Sequence, residues 1–153
     1  MSLDRIRLAS LHNKVISPEQ AAAFIKDGMT VGMSGFTRAG EAKAVPLALV
    51  QQAKANPLKI TLITGASLGN DLDKQLTEAG VLARRLPFQV DNTLRKAINN
   101  GEVMFIDQHL SETVEQMRNL QLKKPDVAII EAVAITEDGG IIPTTSVGNS
   151  ASF

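Results

Sequence analysis

The sequence has no cysteine, no tryptophan and no tyrosine among its 153 residues, and its aromatic side chains are five phenylalanines. Without cysteine, the chain can form neither disulfides nor thiolate metal sites, and it has no cysteine nucleophile. The few aromatics offer no platform for stacking bases. Sixteen basic residues balance sixteen acidic ones, so no overall field attracts nucleic acid or an anionic membrane. We predict no nucleic-acid partner, and any anionic ligand must be bound by local groups.

Long apolar runs are also missing. The N-terminal segment MSLDRIRLASLHNK mixes charges with single apolar residues, and no later stretch reaches the length of a membrane span. We therefore expect no leader and no membrane anchor, and the lack of cysteine favours a cytoplasmic protein. Apolar residues make up 44% of the chain and charged residues 21%, which is typical of a globular domain, and the length fits one domain, residues 1–153.

Helix and strand signals alternate along the chain. Ser17 to Gln20 has the pattern of a capping box with proline at the first helical position. We predict helices that start near 18, 46, 71, 91 and 111, and strands at 30–34, 59–64, 81–83, 103–106, 127–135 and 141–144. The run VAIIEAVAI (127–135) is expected to be one central parallel strand covered on both faces. The alternation predicts an α/β fold with three layers: an open, mostly parallel sheet with helices on both faces.

Three of the predicted strands run into segments rich in glycine, serine and threonine. These segments are MSGFTRAG (33–40), TGASLGN (64–70) and PTTSVGNS (143–150). The carboxyl ends of parallel strands line a crevice, where loops can bring backbone amides and hydroxyls against a ligand. A single loop of this kind is more often an ordinary turn. Three of them at one edge of a sheet predict a binding site.

The spacing of the glycines excludes two common ligands. Gly32, Gly35 and Gly40 do not form a G-x-G-x-x-G motif, and no Lys-Ser or Lys-Thr pair follows them. We therefore expect neither nicotinamide binding nor nucleotide hydrolysis. Arg38 and Lys43 in this segment could contact a phosphate or a carboxylate, although such side chains are more often solvated surface charges.

Asp107, His109 and Glu131 form an alternative site, that of a metal-dependent hydrolase. A D-x-H pair and a carboxylate within an apolar strand could bind a metal or exchange protons. Turn and capping bonds explain Asp107 and His109 better, and no second histidine is nearby, so we predict no metal. Glu131 is less easily explained, because a carboxylate on a buried strand must find a partner, reach the strand end or change protonation. Its role, functional or structural, is left open by the sequence. With two histidines in all, a Ser-His-Asp triad is not expected.

The same loops resemble those of the acetyl-CoA hydrolase/transferase family, which includes class I acetate, propionate and succinate CoA-transferases. The resemblance runs from about Ile16 to Phe153. It rests on SGFTRAG with Lys43 and Pro46 following (34–46), LITGAS (62–67), LPFQVDNTLRKAINNGE (86–102), DQHLSE (107–112) and IEAVAITEDGGIIPTTSVGNS (130–150). It implies two related open α/β domains of the CoA-transferase or NagB/RpiA-like type, with acyl-CoA bound between them. This chain would be the N-terminal one, and the second domain is absent from it.

The resemblance also implies a reaction. CoA, as acyl-CoA substrate, passes from a short-chain acyl group to a carboxylate such as acetate, propionate or succinate, or the thioester is hydrolysed. A glutamate attacks the thioester and carries CoA as a glutamyl thioester, aided by oxyanion donors. In the family this glutamate belongs to the second domain, and Glu131 is not at its position. We therefore expect no catalytic residue in this chain and no activity from it alone.

The family's pattern assigns a set of small and polar residues to substrate binding: Gly35, Phe36, Thr37, Gly40, Gly65, Ser67, Gly148, Asn149 and Ser150. Ser67 would bind the acyl or acceptor carboxylate. Relatives often carry threonine where this chain has Val90, and the loss of that hydroxyl puts succinate as acceptor in doubt.

The apolar face that meets the second domain in the family would be exposed in this chain. Such patches favour association, so we expect a homo-oligomer or pairing with a separate second domain. The alternative function is therefore a non-catalytic subunit or assembly module.

Overall fold

The computed structural model describes residues 3–66, 68–69, 71–145 and 147–153. Among these residues, five helices alternate with the first five strands, and short 3-10 turns lie at Leu3–Arg5, Ala9–Lys14 and Ser150–Ser152. The helices are α1 (Pro18–Ala22), α2 (Ala44–Ala55), α3 (Leu72–Glu78), α4 (Asn92–Asn99) and α5 (Leu110–Arg118). The strands are β1 (Thr30–Met33), β2 (Ile60–Thr64), β3 (Leu82–Leu86), β4 (Met104–Phe105), β5 (Val127–Ile129), β6 (Ala132–Ile135) and β7 (Ile141–Pro143).

The first five strands form a parallel sheet in the order β4-β3-β2-β1-β5. The chain moves outward from β1 to β4 and then returns across the sheet to β5. Because crossovers between parallel strands are right-handed, α2, α3 and α4 cover one face and α5 returns over the other. Consistent with this, α2 contacts α3, and α3 contacts α4. The predicted fold class, a parallel α/β sheet between helices, is confirmed.

The local signals in the sequence explain where the first helix and the core form. Ser17 Oγ accepts a hydrogen bond from the Gln20 amide at 3.2 Å, and Gln20 Oε1 accepts one from the Ser17 amide at 2.9 Å, which confirms the capping box. Every residue of β1 is buried. Its Val31 and Met33 join a core of aliphatic side chains from β2 and from the helices over that face.

The prediction of one continuous strand over 127–135 is wrong. β5 ends at Ile129, the strand is interrupted at Ile130 and Glu131, and β6 pairs antiparallel with β7 in a separate two-stranded sheet. β5 is an edge strand with an exposed Ala128, not a covered central one. An apolar run indicates a tendency to form strands but fixes neither their number nor their burial, and no residue of 127–135 is buried. The interruption falls at Glu131, which finds polar partners there.

Several element boundaries also differ from the prediction. The strand expected at 81–83 is the longer β3, and β7 ends one residue before Thr144. The helix expected to start near 111 begins at Leu110, with His109 in the capping position. The His109 side chain bonds the Ser111 hydroxyl and makes no capping bond to the helix backbone. In the described ranges, no helix combines the length and the apolar character needed to cross a membrane.

Asp126 joins the start of β1 to the start of β5, at the edge of the sheet opposite the glycine-rich loops. Its Oδ2 accepts hydrogen bonds from Lys123 Nζ at 2.7 Å and from the Thr30 amide at 2.8 Å, while its own amide donates to the Thr30 carbonyl at 2.7 Å. The hydrogen bond from Lys123, followed by that from Thr30, lowers the pKa of Asp126 below its ordinary value of 3.8.

We therefore expect Asp126→Asn to lower the melting temperature at pH 7 and to make it less sensitive to acid. A carboxylate whose folded-state pKa is lowered stabilises the fold above its unfolded-state pKa, and this stabilisation is lost as the pH falls through the folded-state value. Thermal unfolding followed by circular dichroism from neutral to strongly acidic pH would measure it. Asp107→Asn is the control, since no side-chain bond of the exposed Asp107 is found in the described structure. A deficit in Asp126→Asn that is equal at every pH would contradict the prediction.

Candidate functional site

Three glycines from three different loops touch at the carboxyl edge of the sheet. They are Gly35 after β1, Gly65 after β2 and Gly148 after β7. A Cβ atom added to Gly65 would lie 2.5 Å from the Gly35 carbonyl oxygen and 2.6 Å from the Gly148 Cα, and one added to Gly148 would lie 2.8 Å from the same oxygen. Side chains do not fit at such distances. The expected meeting of the first and third loops is therefore present, while Ser67 and Ser146 lie outside the described residues.

Asn149 and Ser150 continue the third loop against the sheet. Asn149 is buried, and its Nδ2 donates to the Thr64 carbonyl at 3.1 Å. The Ser150 hydroxyl is also buried, and no hydrogen-bond partner for it is found among the described residues. Buried hydroxyls are almost always bonded, so this one is an exception within the described part of the third loop.

The tip of the first loop is a tight turn held against the second loop. The Phe36 amide donates to the Ala39 carbonyl at 2.9 Å, and the Gly69 amide donates to the Thr37 carbonyl at 2.8 Å. Thr37 has a φ of 58°, which is rare for a β-branched residue. Phe36 lies at this tip with 45% of its surface exposed. The loop therefore presents an apolar ring beside a constrained backbone.

Ser34 and Gly40 close the base of the same loop. Ser34 Oγ donates to the Gly40 carbonyl at 2.8 Å and accepts a hydrogen bond from the Glu131 amide at 2.8 Å. One buried hydroxyl thus joins the two ends of the first loop and fixes the interruption between β5 and β6.

A buried ion pair, which sequence reasoning missed, holds the second loop. Arg85 Nε lies 3.0 Å from Asp73 Oδ1, and the two side chains are 0% and 1% exposed. Asp73 Oδ2 accepts from the Leu68 amide at 2.7 Å, and Arg85 Nη2 donates to the Ala66 carbonyl at 2.9 Å. The pair therefore bonds the loop on both sides of position 67. The two adjacent arginines within the strand LARRL were the available signal, because neighbouring side chains of a strand face opposite sides and a buried cation requires an anion.

Glu131 reaches the end of β5 and finds partners there. Its Oε1 lies 3.0 Å from Lys43 Nζ, and its Oε2 accepts from Thr144 Oγ1 at 3.2 Å. Lys43 Nζ also donates to the Glu41 carbonyl at 2.9 Å. Glu131 thus reaches the end of its strand and finds polar partners, which are two of the three outcomes expected for it. Its contacts join Lys43, at the start of α2, to the segment that follows β7.

The proposed metal ligands are not brought together. Glu131 is engaged with Lys43 and Thr144, whereas His109 Nδ1 is hydrogen-bonded to Ser111 Oγ at 2.9 Å. In the part of the chain that the structure describes, no three acidic or histidine side chains are grouped as metal ligands. The metal-hydrolase interpretation therefore has no geometric support at these residues.

A cavity of about 480 Å³ lies between the tip of the first loop, the second loop and the start of α4, and these are the loops that also carry Gly35 and Gly65. Thr37, Arg38, Leu68, Asp71 and Val90 are among the residues that line it. Its size is in the range of small-molecule sites. The sequence singles out both Arg38 and Val90 but does not predict that they line the same cavity.

Comparison with known proteins identifies close relatives. The sequence model of the acetyl-CoA hydrolase/transferase N-terminal domain matches residues 2–153. The chain is 45% identical over 151 residues to a succinyl-CoA:acetate CoA-transferase of Clostridium kluyveri, covering 97% of this chain and 28% of that protein. It is 40% identical over 157 residues to an acetyl-CoA hydrolase of Schizosaccharomyces pombe, with 95% and 30% covered. It is 37% identical over 143 residues to a propanoyl-CoA:succinate CoA transferase of Escherichia coli, with 90% and 29% covered. The chain thus spans less than a third of the length of these relatives.

Solved structures share the fold. An acyl-CoA transferase of Escherichia coli O157:H7 (YdiF), in a thioester complex with CoA, superposes with a TM-score of 0.55 at 18% identity, covering 67% of this chain and 22% of that chain. A variant of the decarboxylase AibA/AibB gives a TM-score of 0.53 at 21% identity, with 67% and 41% covered. At such low identity these likenesses concern the fold alone.

The contact between the three glycines predicts a strong effect of Gly65→Ala. The added methyl group has backbone atoms of Gly35 and Gly148 in its way, so we expect the free energy of unfolding to fall by about 3 kcal/mol, with changes in the amide NMR shifts of both other glycines. Gly80→Ala is the control: its φ is 69°, but nothing lies near its added Cβ, so it should cost about 1 kcal/mol and leave those shifts unchanged. Equal effects of the two variants would show that the three loops do not touch.

The buried ion pair predicts a large effect of Arg85→Met, because Asp73 would remain as an uncompensated buried charge. We expect a loss of about 3–5 kcal/mol in urea unfolding. Arg84→Met, at a partly exposed neighbour, should change stability by about 0.5 kcal/mol or less.

A double variant, Asp73→Met with Arg85→Met, separates the pair's effect on stability from its effect on the loop. Removing both charges should restore much of the stability, while hydrogen exchange at the Leu68 amide stays fast because its acceptor is gone. Slow exchange at Leu68 in the double variant would contradict a loop-holding role.

Proposed function

The chain belongs to the acetyl-CoA hydrolase/transferase family, and on this premise we propose that it is the N-terminal α/β domain of an enzyme that moves CoA between a short-chain acyl-CoA and a carboxylate, or that hydrolyses the thioester. Acetate, propionate and succinate are the proposed carboxylates. The relatives from Clostridium kluyveri and Escherichia coli are named for such transfers, and the one from Schizosaccharomyces pombe for hydrolysis. The observation that carries the proposal is the contact of Gly35, Gly65 and Gly148 at one edge of the sheet.

This contact supports a thioester site because it creates a surface made of backbone. Where three loops meet without side chains, a substrate can approach amide groups directly, and amides held in place stabilise the oxyanion that forms during acyl transfer. Ser150 follows Asn149 in the third loop, and we propose that its hydroxyl, which is buried and has no partner in the described structure, belongs to this site. The exposed ring of Phe36 offers an apolar contact for the acyl chain. Gly40 and Asn149 act indirectly, since they hold the first and third loops.

We assign no catalytic residue to this chain. In the proposed reaction a glutamate carboxylate, supplied by the rest of the enzyme, attacks the thioester carbonyl and displaces the CoA thiolate. The glutamate and the acyl group are then joined as a mixed anhydride. The thiolate then attacks the glutamyl carbonyl and releases the acyl carboxylate. The resulting glutamyl thioester transfers CoA to an acceptor carboxylate by the reverse steps, or reacts with water. Glu131 does not take this role, because Lys43 and Thr144 bind both of its oxygens.

A second candidate function, that of an assembly module, is favoured by the surface around β6 and β7. Val133 is 43% exposed, Ile141 54% and Ile142 40%. Adjacent apolar side chains that remain exposed are typical of a surface that is covered by another polypeptide. A second domain on the same enzyme, a separate subunit or a second copy of this chain would each cover it.

The two candidates are distinguished by adding the missing part of a relative. We expect the purified chain alone to show no acyl-CoA-dependent transfer or thioester hydrolysis. Co-expression with the C-terminal portion of the Clostridium kluyveri relative, taken beyond the matched region, should produce a complex with transferase activity, in which mass spectrometry finds the CoA thioester on the added portion.

The Gly65→Ala chain in the same complex serves as the control, with reduced transfer but retained association. Turnover by the chain alone would overturn the assignment of the catalytic glutamate to another polypeptide. A complex that forms, as measured by light scattering, but shows no transfer and no thioester hydrolysis would favour the assembly module.

A further inference from the structure

The cavity beside the glycine cluster is built by strained backbone. Three non-glycine residues of the described chain have positive φ, and two of them, Thr37 at 58° and Asp71 at 62°, line this cavity. Such conformations are costly and are retained most often where a site requires them. Their occurrence at one cavity indicates that its shape matters to function.

Arg38 is seated on the wall of this cavity by close contact with the second loop. A Cβ atom added to Gly69 would lie 2.5 Å from Arg38 Cγ and 2.9 Å from its Cα. The aliphatic part of the arginine therefore rests on bare backbone at Gly69. In the described ranges, none of the ion pairs and none of the side-chain hydrogen bonds involves the Arg38 guanidinium. A positioned cation is thus left for a ligand.

The other charges around the cavity determine what Arg38 can bind. Asp91 Oδ1 accepts from the Leu94 amide at 2.9 Å, so its carboxylate already occupies the start of α4 and leaves that helix end unavailable to an anion. Asp71 is exposed on the same cavity. With two carboxylates nearby, the surrounding field does not attract anions in general. The planar guanidinium can pair with either a carboxylate or a phosphate, but Asp71 and Asp91 repel the single charge of one carboxylate less than the larger charge of a phosphate.

We propose that this cavity binds the distal carboxylate of a dicarboxylic acyl group, with Arg38 as the residue that determines this specificity. Leu68 and Val90 form an apolar wall against which the methylene groups between the two carboxyl ends pack. This inference rests on the proposed function, because it places the other end of the acyl group at the glycine cluster. It also changes the expectation that Val90 disfavours succinate. The hydroxyl that relatives often carry at that position is missing, but Arg38, which lines the same cavity, supplies a cation instead.

The experiment compares two acids of equal length, succinate and butyrate, which differ in the second carboxylate. Each is titrated into the ¹⁵N-labelled chain, and the amide shift of Gly69 reports binding. We expect Arg38→Met to weaken succinate binding about tenfold and to leave butyrate binding unchanged. Arg38→Lys should give an intermediate affinity for succinate, because lysine keeps the charge but cannot form the planar pair.

Two further variants test the electrostatic argument. Asp71→Asn removes a competing carboxylate while asparagine tolerates the positive φ, so succinate should bind about twofold more tightly. Lys59→Met removes one positive charge at the opposite edge of the sheet, just before β2, and should leave succinate affinity unchanged. Equal weakening by Lys59→Met and Arg38→Met would attribute the effect to net charge and overturn the proposal.

Other outcomes also count against it. The proposal is wrong if the unaltered chain fails to bind succinate at about 50 mM, if Arg38→Met retains succinate affinity, or if both acids are weakened alike. Inorganic phosphate that binds through Arg38 as tightly as succinate would make this a phosphate site instead. Because the titration contains neither CoA nor a second polypeptide, its result is independent of the transfer assay. Succinate binding through Arg38 with no transferase activity in the complex would therefore reject the proposed function and not the carboxylate site.

Discussion

The candidate site depends on one steric constraint: the backbones at Gly35, Gly65 and Gly148 lie too close together for any side chain. This contact brings into one place loops that follow β1, β2 and β7, although β7 does not belong to the parallel sheet. A sheet edge alone would leave the third loop free. Since close packing of backbone provides little burial of apolar surface, the loops must be held by polar interactions, and the structure supplies a separate set for each loop.

These polar interactions have different strengths. The second loop is held by the fully buried Asp73–Arg85 pair, whose desolvation is costly and whose net effect on stability depends on complete hydrogen bonding. That condition is met here, because the pair also bonds backbone groups of Ala66 and Leu68. Among the described residues, the first loop has no charge pair of its own. Its base is closed by the buried Ser34 hydroxyl, its tip is bonded to the second loop at Gly69, and the half-exposed pair of Lys43 and Glu131 just beyond it is screened by solvent. The second loop is therefore the rigid reference against which the first loop is positioned.

How much of this could be read from the sequence varies with the range of the interaction. The capping box at Ser17 and the strand β2 depend on neighbouring residues, and both were predicted correctly. The run 127–135 was not, because its division into β5 and β6 depends on partners of Glu131 that are distant in the chain. The ion pair of Asp73 and Arg85 joins a helix to the following strand, and no periodic pattern reports such a contact. The three glycine-rich loops were found because their composition is local, but which of their glycines touch could only be seen in the fold.

The strained residues connect this architecture to specificity. Thr37 keeps its positive φ because its carbonyl is bonded to the Gly69 amide, and the second loop that carries Gly69 is held in turn by the buried ion pair. The orientation of Arg38 therefore depends on a charge pair that it does not contact. A change in the ion pair would be felt at the cavity through the backbone, whereas a change at Arg38 would leave the ion pair intact. On the proposed role of Arg38, a substitution at the tip of the first loop would change specificity at the cavity without disturbing the contact of the three glycines.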